Sequence, residues 1–201
     1  ESDLVKIWED PEIEAVIVTT PTSMHKDIII EAAKHNKHIF TEKVLAFTVK
    51  DCQEIFKAVE ENGVHFMISL PRLRESFYLY AQDIVDRNLL GKITMVRCRV
   101  AHDGAIPSID HPKGWLPDRF YDPVRAGGGA LIDLGAHPIY LTNRLVGPAE
   151  SVIAMLSSFY DHPVDDHAVV TLKYKNGAIG IIESSFISGS SVFILEVHGT
   201  E

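Results

Sequence analysis

Two pairs of polar side chains have residue types and spacings suited to acid–base chemistry. Glu42 and Lys43 are adjacent in the stretch FTEKVLAFTVK, just after a run of strand-forming residues. Asp133 and His137 lie four residues apart in AGGGALIDLGAHPIYL, which puts two side chains on one face of a helix, although Pro138 would kink that helix or delay its start to about His137. Such groups transfer protons when burial or neighbouring charges bring their pKa values towards neutrality. Both pairs are therefore candidates for general acid–base catalysis.

Each pair also has interpretations without this chemistry. Glu42 and Lys43 could be a solvated charge pair at a sheet edge, since lysines with shifted pKa values are rare. Asp133 and His137 could cap their helix and fill a polar pocket. They could also bind a metal with further histidines, but no His-x-x-x-His or paired-cysteine spacing supports this, and we predict no metal site. The residue types alone leave catalysis and structure as open alternatives.

Alternating strands and helices must position the first pair. The run EAVIVTT predicts a buried parallel strand, and helical periodicity follows over residues 23–35. KHIFTE predicts a second strand, a helix then ends at Asn62-Gly63, and VHFMIS over residues 64–69 predicts a third strand. This order indicates βαβ units with right-handed crossovers. The carboxyl ends of such strands form the edge where open α/β sheets bind ligands.

The pattern changes after Pro71. One further helix is predicted, and most segments from residue 92 onward alternate as strands, among them KITMVRCRVA. Asn176-Gly177 between two strand-like runs predicts a hairpin. We therefore predict an α/β protein of two domains. Residues 1–71 would form a partial Rossmann-type parallel sheet, and residues 72–201 an α+β domain with a large, mostly antiparallel sheet.

Other polar and aromatic residues are weaker candidates. His25 lies in the first turn of the predicted helix over residues 23–35. Its side chain either faces the ligand-binding edge of the sheet or caps the helix. Arg72 follows the third strand and either contacts an anion or is exposed charge. Trp115 lies in a long connection, residues 102–126, and either covers a substrate or anchors that loop. Asp165-Asp166-His167 precede a strand and predict a solvated turn.

Composition limits the classes of partner. The chain has 201 residues, 46% of them hydrophobic, which is enough to bury a core. A net charge of -9 argues against nucleic acid or an anionic membrane as the main partner. No apolar run approaches the roughly 20 residues of a membrane span, the N-terminus does not resemble a signal peptide, and two cysteines indicate reduced thiols. We therefore predict a soluble, cytoplasmic protein whose main partner is neither nucleic acid nor a membrane.

Three motifs occur in order along the chain, VIVTTPTSMH, HIFTEKVL and AGGGALIDLGAHPIYL. Together they resemble the motifs of the Gfo/Idh/MocA family of NAD(P)-dependent oxidoreductases. The family signatures run Thr-Pro-x-x-x-His, then Glu-Lys-Pro, then a glycine-rich turn with Asp-x-x-x-His. The resemblance covers nearly the whole chain. It implies a Rossmann domain followed by an α/β domain whose large antiparallel sheet often builds a homo-oligomer interface.

The resemblance also implies a reaction and residue roles. Hydride would pass between the nicotinamide of NAD or NADP and a secondary alcohol of a sugar, cyclitol or related polyol. Lys43, Asp133 and His137 would be catalytic, with His137 as the base. Trp115 is not part of these motifs and is a candidate substrate contact from its place in the long connection alone. The residues implied to lie near the cofactor are Thr20, Pro21, His25, Glu42 and Arg72.

Two departures from the family pattern affect these expectations. Val44 follows Lys43 where the family usually has proline, often after a cis peptide bond, so a trans bond here would re-aim Lys43. None of the 13 glycines falls into Gly-x-Gly-x-x-Gly, the turn that holds a dinucleotide pyrophosphate. We therefore expect a chain truncated at both ends. A non-catalytic binding or oligomerisation fragment and a metal-dependent hydrolase or lyase are the alternative functions.

Overall fold

The chain divides after Leu70 into two units, residues 1–70 and 71–201. The computed structural model describes residues 3–189 and 193–201. Within these ranges, no helix has both the length and the apolar character needed to cross a bilayer. Each unit is built around its own sheet and its own hydrophobic core.

The first unit is a parallel α/β layer, as predicted. Its strands pair in the order β1-β2-β3, with Val18 opposite Thr41 and Thr41 opposite Ile68. The carboxyl ends of the strands therefore meet at one edge. The elements are α1 (Leu4–Glu9), β1 (Ala15–Val18), α2 (Thr22–Lys34), β2 (His38–Thr41), α3 (Val49–Asn62) and β3 (Phe66–Ile68).

Local chemistry sets the limits of α3. The Thr48 hydroxyl accepts a hydrogen bond from the Asp51 backbone N–H at the start of the helix. Gly63, in the left-handed region at φ 63°, ends it. Lys26 of α2 bonds to Asp51 at 2.6 Å and also pairs with Glu54, and these bonds hold the pKa of Lys26 well above its usual range. These ion pairs join α2 to α3.

One face of the parallel sheet carries exposed apolar side chains within the described chain. Ile17, Phe40 and Met67 lie on it, one from each strand. The other face packs against the helices, with Val18, Ile29 and Ile55 among the buried residues of the core. Parallel sheets are usually covered on both faces.

The second unit is built on a five-stranded sheet of order β5-β6-β7-β4-β8. The β4–β7 pair is parallel and the other pairs are antiparallel, which confirms a mostly antiparallel sheet. The helices are α4 (Ser76–Asp86), α5 (Pro123–Ala126), α6 (Ala130–Asp133) and α7 (Ala136–Val146), with 3-10 turns at Pro71–Arg74 and Asp118–Tyr121. The strands are β4 (Ile93–Ala101), β5 (Ala149–Ser157), β6 (His167–Tyr174), β7 (Ile179–Ser185) and β8 (Ile194–Gly199).

The predicted alternation in β4 is confirmed. Val96 and Cys98 are fully buried on the face that packs against Leu141 of α7, whereas Arg97 points to the other face and bonds to Glu183 of β7 at 2.6 Å. Burial raises the pKa of the Cys98 thiol to about 12, so the thiol stays protonated at neutral pH. The sheet therefore has one core face and one partly solvated face.

The hairpin predicted at Asn176-Gly177 joins β6 to β7. Gly177 has φ 91°, a conformation that side chains disfavour and glycine adopts freely. The Asn176 carboxamide accepts a hydrogen bond from the Ala178 N–H and donates one to the Val146 carbonyl. The same residue therefore shapes the turn and attaches it to the end of α7.

Candidate active site

Four predicted site residues lie at the carboxyl edge of the parallel sheet. Thr20 and Pro21 follow β1, and Glu42 and Lys43 follow β2. The Glu42 N–H donates to the Val18 carbonyl at 3.0 Å, so the pairing of β1 with β2 continues to the start of the charged pair. The Thr20 hydroxyl oxygen is buried and has no hydrogen-bond partner among the described residues. The edge therefore keeps unused hydrogen-bonding capacity.

His25 is a buried link between backbone segments. Its ring is fully buried, with Nε2 2.9 Å from the Thr20 carbonyl oxygen and Nδ1 3.0 Å from that of Val44. Nδ1 is also 3.3 Å from the Leu45 carbonyl oxygen. The ring thus joins the end of β1 to the loop after Lys43, in which the Lys43–Val44 peptide bond is cis. His25 therefore stabilises the backbone at this edge of the sheet. Cofactor binding by His25 stays a prediction.

The glycine-rich segment leads into two short helices. Asp133 is the last residue of α6, and His137 is in the first turn of α7. They do not belong to one continuous helix, because α6 ends before Gly135 and α7 begins at Ala136, close to the start that Pro138 predicted. Both side chains are half-buried. Each lies at a helix end instead of on the face of a long helix.

Tyr140 is a neighbour of His137 that the sequence reasoning missed. Its hydroxyl lies 2.9 Å from His137 Nδ1, one turn along α7, and the two rings meet edge to face. Burial raises the pKa of Tyr140 to about 12, partly offset by a hydrogen bond with the Arg72 backbone. The phenol therefore keeps its proton at neutral pH. The spacing of three residues in a helix was the available signal.

Trp115 covers a second histidine. Its indole N–H donates to the Asp103 carboxylate at 2.9 Å, and its ring lies 4.8 Å from that of His102. His102 also stacks on Phe186, and the Gly104 N–H donates to its Nδ1 at 3.0 Å. Burial lowers the pKa of His102, against an opposing effect of the Asp133 charge. His102 is therefore a neutral ring with its proton on Nε2 at neutral pH.

Arg72 lies in the 3-10 turn that opens the second unit. Its guanidinium is 3.5 Å from the Glu75 carboxylate and 5.1 Å from the centre of the Phe193 ring. The side chain is half-buried, and these contacts give it a structural role. A contact between Arg72 and an anionic ligand stays a prediction.

The expectation of a solvated turn at Asp165-Asp166-His167 is wrong for Asp166. This residue is fully buried, because its carboxylate accepts hydrogen bonds from the Phe159 and Tyr160 N–H groups at 2.7 and 2.9 Å. His167 Nδ1 lies 3.0 Å from the same carboxylate. Backbone donors seven and six residues earlier in the chain thus replace the water that the sequence pattern predicted.

The metal interpretation finds no matching arrangement in the described ranges. There, no group of three or more His, Cys, Asp or Glu side chains is placed to hold a metal ion. His102 and Asp133 do interact electrostatically, but the Nδ1 of His102 is already occupied by a backbone donor.

Two family models match the chain, one to each unit. Residues 2–70 match "Oxidoreductase family, NAD-binding Rossmann fold", and residues 78–201 match "GFO/IDH/MocA C-terminal domain". The chain belongs to the GFO/IDH/MocA family. This confirms the resemblance that the three motifs indicated. The Rossmann part of this GFO/IDH/MocA chain is the unit that carries Glu42 and Lys43.

Several curated members of the family are similar to this chain. Levoglucosan dehydrogenase of Pseudarthrobacter phenanthrenivorans is 29% identical over 100% of this chain and 57% of its own length. NAD(+)-dependent scyllo-inositol 2-dehydrogenase of Bacillus subtilis is 29% identical over 99% and 56%. 2,7-Anhydro-N-acetylneuraminate hydratase of Mediterraneibacter gnavus is 34% identical over 91% and 48%. The chain thus spans about half the length of the curated relatives it matches.

The fold is also that of solved family members. A levoglucosan dehydrogenase structure in complex with NADH and levoglucosan superposes with a TM-score of 0.89 at 29% identity. The match covers 100% of this chain and 56% of that one. The α/β fold class is confirmed by this similarity.

The contact between Tyr140 and His137 is open to a direct test. Because Tyr140→Phe removes the hydroxyl at Nδ1, we expect the Nδ1 resonance of His137 to shift and the balance of its neutral tautomers to change. The measurement is a long-range ¹H–¹⁵N correlation spectrum of the histidine rings. Tyr160→Phe, at an exposed tyrosine, is the matched control. An unchanged His137 spectrum in Tyr140→Phe would show that the contact does not exist in solution.

Proposed function

We propose that the protein is an NAD(P)-dependent oxidoreductase acting on a secondary alcohol of a sugar, cyclitol or related polyol. The observation that carries this proposal is the place of Glu42 and Lys43. They follow β2 at the ligand-binding edge of a parallel sheet, in a unit matching an NAD-binding Rossmann family. The relatives that are named dehydrogenases support the substrate class.

The residues at this edge fit the nicotinamide end of the cofactor. The buried Thr20 hydroxyl has no partner among the described residues and can bond to an added ligand. Pro21 precedes α2, and Glu42, which is half-buried after β2, would lie at the ribose. When bound, the nicotinamide accepts or supplies the hydride at C4. An NADH complex of a relative favours NAD over NADP as the cofactor. The turnover experiment described below compares the two nucleotides.

The proposed proton chemistry uses three side chains. His137 takes the proton of the substrate hydroxyl, Lys43 donates a hydrogen bond to the same oxygen, and Asp133 orients the base or binds a neighbouring hydroxyl. These roles follow from the family motifs. The contact with Tyr140 supports the role of His137, because a hydroxyl bonded to Nδ1 fixes the orientation of the ring. The exposed ring of Trp115 would cover the substrate.

Turnover by the full-length protein tests this proposal. We expect it to reduce NAD or NADP with at least one sugar or inositol of a panel, and Asp133→Asn to lower kcat by about 100-fold or more without unfolding. Asp83→Asn, which alters only an exposed ion pair of α4, should keep wild-type turnover. Full activity in Asp133→Asn would make Asp133 structural. Absence of nicotinamide-dependent turnover in the wild type would contradict the proposal.

A reaction without net oxidation is the second candidate, and the hydratase relative favours it. In such a reaction the nicotinamide is reduced and reoxidised within one turnover. The same panel, followed by mass analysis of the sugar product, separates the two candidates. A dehydrogenase yields a product lighter by two hydrogens, whereas a hydratase yields one heavier by one water.

We also propose that the protein is a homo-oligomer assembled through the solvated face of the five-stranded sheet. Ile153 and Met155 of β5 are 75% and 79% exposed, and the register places them on the same face as Val169 of β6. Ile179 of β7 extends this exposed apolar patch. Apolar patches of this kind on a sheet face mark protein interfaces.

A charge placed in this patch should dissociate the oligomer. Because Met155→Glu would bury a carboxylate against apolar side chains, we expect a lower molar mass by size-exclusion chromatography with light scattering. Lys57→Glu, at an exposed lysine of α3 in the other unit, should leave the mass at that of the wild type. A monomeric wild type, or an unchanged mass for Met155→Glu, would overturn this assembly.

A further inference from the structure

We infer that Asp165 is a positioning residue for the turn that carries Asp133. This inference rests on the proposed function, in which Asp133 is catalytic. The two residues are 32 positions apart in the sequence, and the contact joins the loop before β6 to the glycine-rich segment 127–129.

Three consecutive backbone N–H groups of the turn donate hydrogen bonds to Asp165. The Gly129 N–H donates to Oδ1 of Asp165 at 3.0 Å, and the Leu131 N–H donates to Oδ2 at 2.7 Å. Between them, the Ala130 N–H donates to the Asp165 carbonyl oxygen at 2.8 Å. These are first-turn donors of α6, which have no acceptor within a helix of four residues. Asp165 therefore accepts from the first three N–H groups at the start of α6.

The close approach explains one glycine of the motif. A Cβ built on Gly129 would collide with the carbonyl oxygen of Asp165. The turn can reach its three acceptors only because this position has no side chain. Gly129 and Ala130 are buried as a result, and Asp133 follows four residues after the contact.

Asp165 is itself fixed by the sheet. The next residue, Asp166, donates its N–H to the Ser157 carbonyl at the end of β5 and accepts at its own carbonyl from the Phe186 N–H after β7. The main chain at this point is therefore bonded on both sides. Because Asp165 cannot move independently of the strand ends, it transfers their position to the turn and so to Asp133.

Asp166 provides a matched control, because the two adjacent carboxylates hold different segments. The Asp166 carboxylate bonds to the Phe159 and Tyr160 N–H groups and to His167, and within the described part of the chain it does not bond to the turn. Replacing either aspartate by asparagine removes the same charge at the same end of β6. Only Asp165→Asn places an amide NH₂ against a donor of the glycine turn.

The experiment compares the full-length wild type, Asp165→Asn and Asp166→Asn by backbone hydrogen exchange and by steady-state kinetics below their unfolding temperatures. In Asp165→Asn we expect the amides of residues 129–131 to exchange about tenfold faster or more. We expect kcat to fall roughly 10- to 100-fold through misplacement of Asp133, with an unchanged KM for the nucleotide. In Asp166→Asn we expect the faster exchange at residues 159 and 160, a lower Tm and a nearly unchanged kcat.

The outcomes separate this inference from the proposed function. Wild-type turnover with kcat retained in Asp165→Asn would overturn the positioning role while leaving the oxidoreductase in place. An equal loss of kcat in Asp166→Asn would overturn it as well, because general destabilisation would then explain both variants. A wild type without nicotinamide-dependent turnover would overturn the proposed function, and exchange at residues 129–131 would still decide whether the contact holds the turn.

Discussion

Backbone hydrogen bonds to single side chains hold the segments that carry the candidate catalytic residues. Lys43 precedes a loop whose carbonyl groups bond to the buried ring of His25, and Asp133 follows a turn whose N–H groups bond to Asp165. Neither segment has a regular partner strand or a long helix at that point. A side chain in a loop keeps a reactive geometry only if its backbone is fixed, so the proposed chemistry depends on these bonds.

The elements themselves were predictable because their signals are local. Alternation identified β4, apolar runs identified the parallel strands, and Asn176-Gly177 identified the hairpin. The limits of the helices also followed from nearby residues, such as Gly63 after α3 and Pro138 near the start of α7. Each of these signals depends on neighbours within a few positions, which is the range a single sequence reports well.

The hydrogen bonds that hold the candidate site could not be predicted, because they join residues that are far apart in the sequence. His25 bonds to Val44, 19 positions away, and Asp165 bonds to Gly129, 36 positions away. Nothing local separates these residues from ordinary capping or turn-forming ones, and Asp166 was accordingly expected in solvent although it is buried. Tyr140, the partner of His137, lies three residues further along the helix, so the spacing could have indicated the contact. No sequence motif marks this tyrosine.

The most direct test of the central claim follows the hydride itself. The full-length protein is incubated with NAD or NADP and a panel of sugars and inositols that carry deuterium on their carbinol carbons, and the nicotinamide is analysed by mass spectrometry. We expect deuterium at nicotinamide C4 with at least one substrate, and its loss in Lys43→Met. Nucleotide binding without any transfer of deuterium across the panel would contradict it.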